Sequence, residues 1–317
     1  MTFGIARLSQ LRLATDPAAP WIMTMYRRTA QIADIWIGRH SLDTAARRTA
    51  RSAVAGLRPA VIVTGGSSGI GLELARVFLA TGHTVVLVAR NQTNLAIAAQ
   101  SLDSSGRENV FTIAADITNP DCPKIIGDKL NSLGCYLNIL INNAAAGLSG
   151  PFDEHTQPEI EGLIATNVSA LTRLTRHALP GLLARGQGGI VNIASLGAYV
   201  PGPYQAAYYA SKAYVVSLTE AIASEIAGQG VRVCVVAPGP VNTGFHAAMR
   251  AERAPYRQYL PALSPARIAQ ISYRGFTIGR RVIVPSVFNH LMFAALKLMP
   301  HVISVPITKW LLKNPKQ

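Results

Sequence analysis

The chain has 317 residues, an apolar half large enough for a sizeable core, three cysteines and a formal net charge of +14. Cys122, Cys135 and Cys234 show no CxxC spacing, so neither a metal site nor a disulfide framework is expected, and a reducing cytoplasm fits best. Before Gly56 eight arginines face only Asp16, Asp34 and Asp43, a balance of +5. From Tyr273 onward seven basic residues face no acid; the middle is left near +2, which argues against nucleic-acid binding.

Residues 1–57 read as a basic N-terminal extension. Within it Ile22, Met25, Tyr26, Ile32, Ile35 and Trp36 recur at roughly helical spacing, which predicts an amphipathic helix. Met23 or Met25 offers an alternative start. From Ala60 short apolar runs alternate with longer helical patterns. The predicted strands are Val61–Val63, Thr84–Ala89, Val110–Ala114, Asn138–Ile141, Gly189–Ile193 and Val231–Val236. Their apolar runs are continuous rather than alternating, as in a parallel sheet covered by helices on both faces. Helices are predicted over Leu72–Ala80, with Gly82 as its cap, and over Glu159–Arg185 and Gln205–Ala227. The fold class is α/β, a doubly wound parallel sheet in three layers, forming a single domain over 58–272. Residues 273–317 form a basic amphipathic C-terminal extension. The nearest approach to a membrane span, Val287–Val305, is interrupted by Asn289, His290, Lys297, Pro300 and His301, and Pro300 is expected to break any helix there. No secretory signal is recognisable. The basic ends are either solvated or meet an anionic membrane surface peripherally.

After the first strand comes Thr64-Gly65-Gly66-Ser67-Ser68-Gly69-Ile70-Gly71, opening into a helix. Gly65 permits the turn off the strand, Gly69 a close approach to a pyrophosphate, and Gly71 tight packing of helix on sheet. The helix N-terminus offers N–H groups to phosphate. Such a loop can be a plain turn, but its place between strand and helix matches a Rossmann-type dinucleotide site. An acidic residue at the end of the second strand would bind a ribose diol and repel a 2′-phosphate. Here the chain reads Val88-Ala89-Arg90-Asn91, so Arg90 favours NADP(H) unless it is simply a solvated surface arginine. Asp116, Ile117, Asn142, Asn143, Ala144 and Ser195 all fall at the ends of predicted strands, where a ligand crevice forms; singly, each polar residue there is an ordinary turn or cap. Tyr208 and Lys212 stand four apart on one helix face. A lysine cation there would lower the phenol pKa and make Tyr208 a usable acid or base, with Ser195 bonded to the same substrate oxygen.

Together these motifs, in this order over about 58–250, resemble the classical short-chain dehydrogenase/reductase family, with Pro238-Gly239-Pro240-Val241-Asn242-Thr243 completing the set. The resemblance implies catalytic Ser195, Tyr208 and Lys212, with Asn167 holding a water in a proton relay. It places Gly65, Ser67, Ser68, Gly69, Ile70, Gly71, Arg90, Asp116, Ile117, Asn143 and Ala144 on the cofactor. Tyr208, Lys212, Pro238, Gly239, Val241 and Thr243 join them around the nicotinamide, and the resemblance further implies a homodimer or homotetramer. The family's NNAG appears here as Asn142-Asn143-Ala144-Ala145. Leu148–Phe152, Arg281–Pro285 and the amphipathic tail are similar to 3-oxoacyl and hydroxysteroid reductases. That similarity implies a lipophilic carbonyl/alcohol substrate and a C-terminal segment that covers the site or touches a membrane. Phe152, Tyr199, Tyr204, Phe245 and Met249 are candidate pocket walls or simple packing. Two other classes stay open: a catalytically silent NADP-binding regulator, and a membrane-surface scaffold.

Overall fold

Five successive residues of the strand β1 (Arg58–Thr64), from Ala60 to Thr64, are buried, because each face of that strand meets its own core. Val61 and Val63 point into one core with Leu74 and Phe78 of helix α2 (Gly69–Ala80). Ala60 and Ile62 point into the other, against Ile126, Leu130, Leu174 and Leu182. That is the period-two alternation of a strand applied to a sheet with no wet face. The computed structural model describes residues 44–102, 109–251 and 253–313, all within one compact unit. The amphipathic helix expected around Ile22–Trp36 lies outside the described residues.

In chain order the elements are α1 (Thr44–Ser52), β1, α2, β2 (Thr84–Ala89), α3 (Gln92–Leu102), β3 (Val110–Ala114), α4 (Cys122–Ser132) and β4 (Cys135–Asn142). The helix α5 (Gln157–Ile164) runs through a π-helical turn at Ala165–Ala170 into α6 (Leu171–Arg185), followed by β5 (Gly189–Ile193), α7 (Ala206–Glu225) and β6 (Arg232–Val236). Two single turns, α8 (Phe245–Ala248) and α9 (Tyr256–Tyr259), precede α10 (Pro265–Thr277), β7 (Val282–Ile283), α11 (Val287–Leu298) and α12 (His301–Leu312). All seven strands are parallel, in the order β3-β2-β1-β4-β5-β6-β7. The chain leaves β1 in one direction and β4 in the other, so a crevice opens between their carboxyl ends.

The six predicted strands are present, and the parallel α/β sheet is as expected. Gly82 adopts φ +87° and the N–H of His83 closes on Phe78 O, the wrapped C-cap its position predicted. The helical stretch expected over Glu159–Arg185 is present and passes through a π turn at Ala165–Ala170. The seventh strand went unpredicted because its two residues, paired with Val235 and Val236, are too few to show any period. The boundary drawn at 272/273 falls inside α10, whose Ile268 and Phe276 belong to the core beside α2. Pro300 does separate two helices. Among the described residues no helix is long and apolar enough to cross a membrane, and the three cysteines are buried and free.

Between the strand ends and the helices behind them lies a buried polar ladder. Asn142 Nδ2 donates to Asn192 Oδ1 (2.9 Å) and to Thr175 Oγ1 (3.0 Å), and Asn192 Nδ2 donates to Thr219 Oγ1 (2.9 Å). It ties β4, β5, α6 and α7 together directly beneath the crevice. Asn192→Leu removes one acceptor and one donor from groups that water cannot reach. The substitution should cost about 2–3 kcal/mol in urea unfolding; an unchanged midpoint would show that the ladder contributes nothing.

Candidate active site

Where β1 ends, Gly65 turns the chain at φ +62° and its N–H donates to Val88 O. Thr64 Oγ1 accepts from the N–H groups of Asn143 (3.0 Å) and Ala144 (3.2 Å), and Asn143 Nδ2 donates to both Thr64 O and Gly65 O at 3.1 Å. The turn after β4 therefore holds the glycine loop in shape from behind. A Cβ at Gly71 would lie 2.4 Å from Gly65 O and 2.5 Å from Asn143 Nδ2, so only glycine fits there. Ser68 is the N-cap of α2, yet its side chain makes no capping bond, and the first turn carries no acidic residue. The helix N-terminus thus faces the crevice with its dipole unopposed, a cradle suited to pyrophosphate. Thr243 stands across it, with Cγ2 3.2 Å from where a Cβ on Gly69 would be.

Further along the rim, the N–H of Thr118 holds the Asp116 carboxyl below the usual carboxylate range, against its partial burial. The Thr118 hydroxyl and the charge of Arg90 add to the effect. Asp116 Oδ1 accepts both Thr118 bonds at 2.8 Å. Arg90 is exposed on the same rim, one residue past β2.

The opposite wall carries the acid–base candidates. Ser195 follows β5 and accepts from the N–H of Gly197 (3.1 Å), which fixes its hydroxyl over the crevice. Tyr208 lies in the first turn of α7 and shares a hydrogen bond with Ser195. Lys212, one turn on, is 3 % exposed; its ammonium donates to Ile193 O (3.0 Å) and sits 5.7 Å from the Tyr208 ring centroid. The expected lowering of the Tyr208 pKa by Lys212 is not what this geometry gives. Burial raises it, the bond to Ser195 offsets that only partly, and the cation lies against the ring with a proton committed to the backbone. Burial also lowers Lys212 itself to about 8.

That last shift has a stability consequence. A lysine whose folded pKa is depressed binds its proton less well when folded, so the native state is disfavoured below about pH 8. The penalty fades as pH rises towards 10.5, where the unfolded lysine also loses its proton. Replacing Lys212 by Met should stabilise the protein near pH 7, and the gap to wild type should close by about pH 10.5. A constant gap in thermal unfolding across that range would contradict the buried-cation assignment.

Asn167 is brought close by the π turn but does not line the crevice. Its Oδ1 accepts from Ala146 N (2.7 Å), and its Nδ2 donates to Ala146 O (2.8 Å) and Ser211 Oγ (3.0 Å). Both amide hydrogens are used in clamping the loop after β4 to α7, so a relay water would meet only an oxygen of Asn167. Gly71 likewise acts from behind the loop. The other predicted catalytic and cofactor residues all line one cleft of about 1340 Å³.

Of the suggested pocket walls, Phe245 and Met249 line this cleft, whereas Phe152, Tyr199 and Tyr204 do not. Phe152 is exposed, and Tyr199 packs edge-on to Phe293 at 4.7 Å. Sequence reasoning missed Gln205, His246 and Tyr256. His246 Nε2 faces Val241 O (3.0 Å) and must donate there, so Nδ1 accepts from the Tyr256 hydroxyl (2.7 Å). No motif marks these residues; only folding brings them together. Leu296, Thr308, Leu311 and Leu312 close the cleft from the C-terminal helices.

Residues 59–254 match the family model described as short chain dehydrogenase. The ketoacyl reductase HetN of Nostoc sp. is 35% identical over 182 residues, 57% of this chain and 63% of that relative, so the match spans less than two thirds of its length. A short-chain dehydrogenase from Sphingobium yanoikuyae in complex with NADPH superposes with a TM-score of 0.66 at 32% identity, covering 76% of this chain and 94% of that one. The 3-ketoacyl-(acyl-carrier-protein) reductase of Brucella melitensis, complexed with NADH, gives 0.63 at 25% identity, covering 71% and 96%.

Proposed function

Because the chain belongs to the classical short-chain dehydrogenase/reductase family of oxidoreductases, whose fold binds a nicotinamide cofactor, we propose that it reduces a lipophilic ketone, aldehyde or 3-oxoacyl group with NADPH. The observation that carries this reading is the convergence of Ser195, Tyr208 and Lys212 on one wall of a cleft whose other end is a phosphate cradle.

Bound NADPH would supply the hydride. Gly65, Gly69 and the N-terminus of α2 would hold its pyrophosphate, Asp116 and Ile117 its adenine end, and Pro238, Val241 and Thr243 its nicotinamide end. Ser195 and Tyr208 would both bond the substrate oxygen. The raised pKa of Tyr208 keeps the phenol protonated at neutral pH, the state required of an acid that protonates a developing alkoxide. Lys212, cationic at pH 7 and bonded to Ile193 O, would bond the nicotinamide ribose and supply a replacement proton towards the site. The substrate end is walled by Phe245, Met249, Leu296 and Leu311, which suits an apolar chain or ring.

Arg90 is the residue that would select NADPH. No acidic side chain ends β2, and the exposed guanidinium can meet a 2′-phosphate with two parallel bonds. Arg90→Ala should raise the Kd for NADPH about tenfold while leaving that for NADH nearly unchanged, since a charged hydrogen bond is worth about 1.5 kcal/mol or more. Fluorescence titration of both cofactors tests it, and an unchanged ratio would refute the assignment.

A further inference from the structure

The helix α12 presents large apolar side chains to its outer side. It buries Ser304, 1 % exposed, and Thr308, while Val302 is 79 % exposed and Ile303, Ile307 and Trp310 face outward with it. Thr308 Oγ1 folds back on Ser304 O (2.8 Å) to satisfy itself inside. Its neighbour in sequence, α11, buries Asn289 and leaves Val287, Leu291 and Leu298 outward, the last at 84 % exposure. Met292 and Phe293 of α11 and Leu311 and Leu312 of α12 pack inward as well, so both helices are apolar on their inner and outer sides, as suits segments with an apolar medium outside. Each helix has only 12 residues, too short to span a bilayer and long enough to lie in its surface.

The charge pattern says which apolar medium. Seven basic residues and no acidic one occur from Tyr273 to the last residue of the sequence, and exposed Lys297, Lys309 and Lys313 belong to these helices or adjoin them. A second copy docking on the same face would set two uniformly basic segments against each other, an unfavourable self-contact. An anionic lipid surface provides both an apolar layer and the opposite charge.

We propose that the α11–α12 pair docks this protein on an anionic membrane surface, with Leu298, Val302, Ile307 and Trp310 seated among the acyl chains and the lysines at the phosphates. The inward residues Leu296, Thr308 and Leu311 line the cleft, so the two helices that meet lipid also roof the cavity. If the reductase reading holds, a lipid-chained carbonyl reaches Tyr208 without crossing water; the docking itself does not depend on that reading.

The test is co-sedimentation of the full chain with vesicles of phosphatidylcholine alone and of phosphatidylcholine mixed with phosphatidylglycerol. Binding to the mixed vesicles is expected, weakening with salt. Leu298→Asp/Val302→Asp should cut it about tenfold or more with the unfolding temperature unchanged, because both side chains are exposed. Lys309→Glu/Lys313→Glu should reduce it selectively on the anionic vesicles. Three results would overturn the proposal: no vesicle binding, equal binding by wild type and the Asp variant, or an Asp variant that turns a lipid-free dimer into a monomer by sedimentation velocity. None of these readouts requires turnover, so a failure of the reductase reading would leave them intact.

Discussion

Tyr208→Phe is expected to lower kcat about 10²- to 10⁴-fold, the range associated with loss of a positioned proton donor. The substitution removes one hydroxyl and keeps the ring, which packs against Phe245 at 5.7 Å and edge-on to Tyr209 at 6.1 Å. NADPH affinity and unfolding temperature should therefore stay close to wild type, and the loss should appear in kcat rather than KM. Tyr209 is no substitute. Its ring is wedged over Gly197 and Gly202, burial raises its pKa as well, and its i+4 neighbour is Ala213 rather than a lysine. Wild-type turnover in the Phe variant would remove Tyr208 from the chemistry.

Gly71→Ala should weaken NADPH binding about 100-fold. One added methyl would stand 2.4 Å from a backbone carbonyl, Gly65 O, and 2.5 Å from the Asn143 amide that anchors that same carbonyl. Neither partner is the free end of a flexible side chain, so the glycine loop itself must move into the cradle. Overpacking of this kind costs about 1–3 kcal/mol, and the upper end applies where backbone is the obstacle. Cofactor titration measures the loss, with circular dichroism verifying that the fold survives. Unaltered affinity would mean that the loop is not held by this contact.

How far these features could be read beforehand depends on how local their causes are. Continuous apolar runs made β1 to β6 visible, because a strand buried on both faces leaves that mark in any sequence. Val282–Ile283 left none, since a two-residue strand exists only through its pairing with β6. The glycine loop and the Tyr208–Lys212 pair were evident from spacing, yet the direction of the Tyr208 pKa was not. It follows from how deeply the hydroxyl is enclosed and from the bond that Lys212 makes to Ile193 O, both of them tertiary facts. The π turn at Asn167 was hidden for a similar reason: its amide is satisfied by Ala146 and Ser211, 21 and 44 residues away. In the same way the apolar residues of α12 were apparent, but only packing reveals that Ser304 and Thr308 turn inward and the aliphatic face outward.

The most direct test of the central claim is transfer of deuterium from 4-deuterated NADPH to a panel of long-chain 3-oxoacyl thioesters and lipophilic ketones, followed by mass spectrometry of the alcohols formed. The account predicts deuterium on the carbinol carbon of at least one product with the wild-type protein, formed about 100-fold or more slowly with Tyr208→Phe. NADPH bound at ordinary affinity with no labelled alcohol from any substrate, or equal labelling by both proteins, would contradict it.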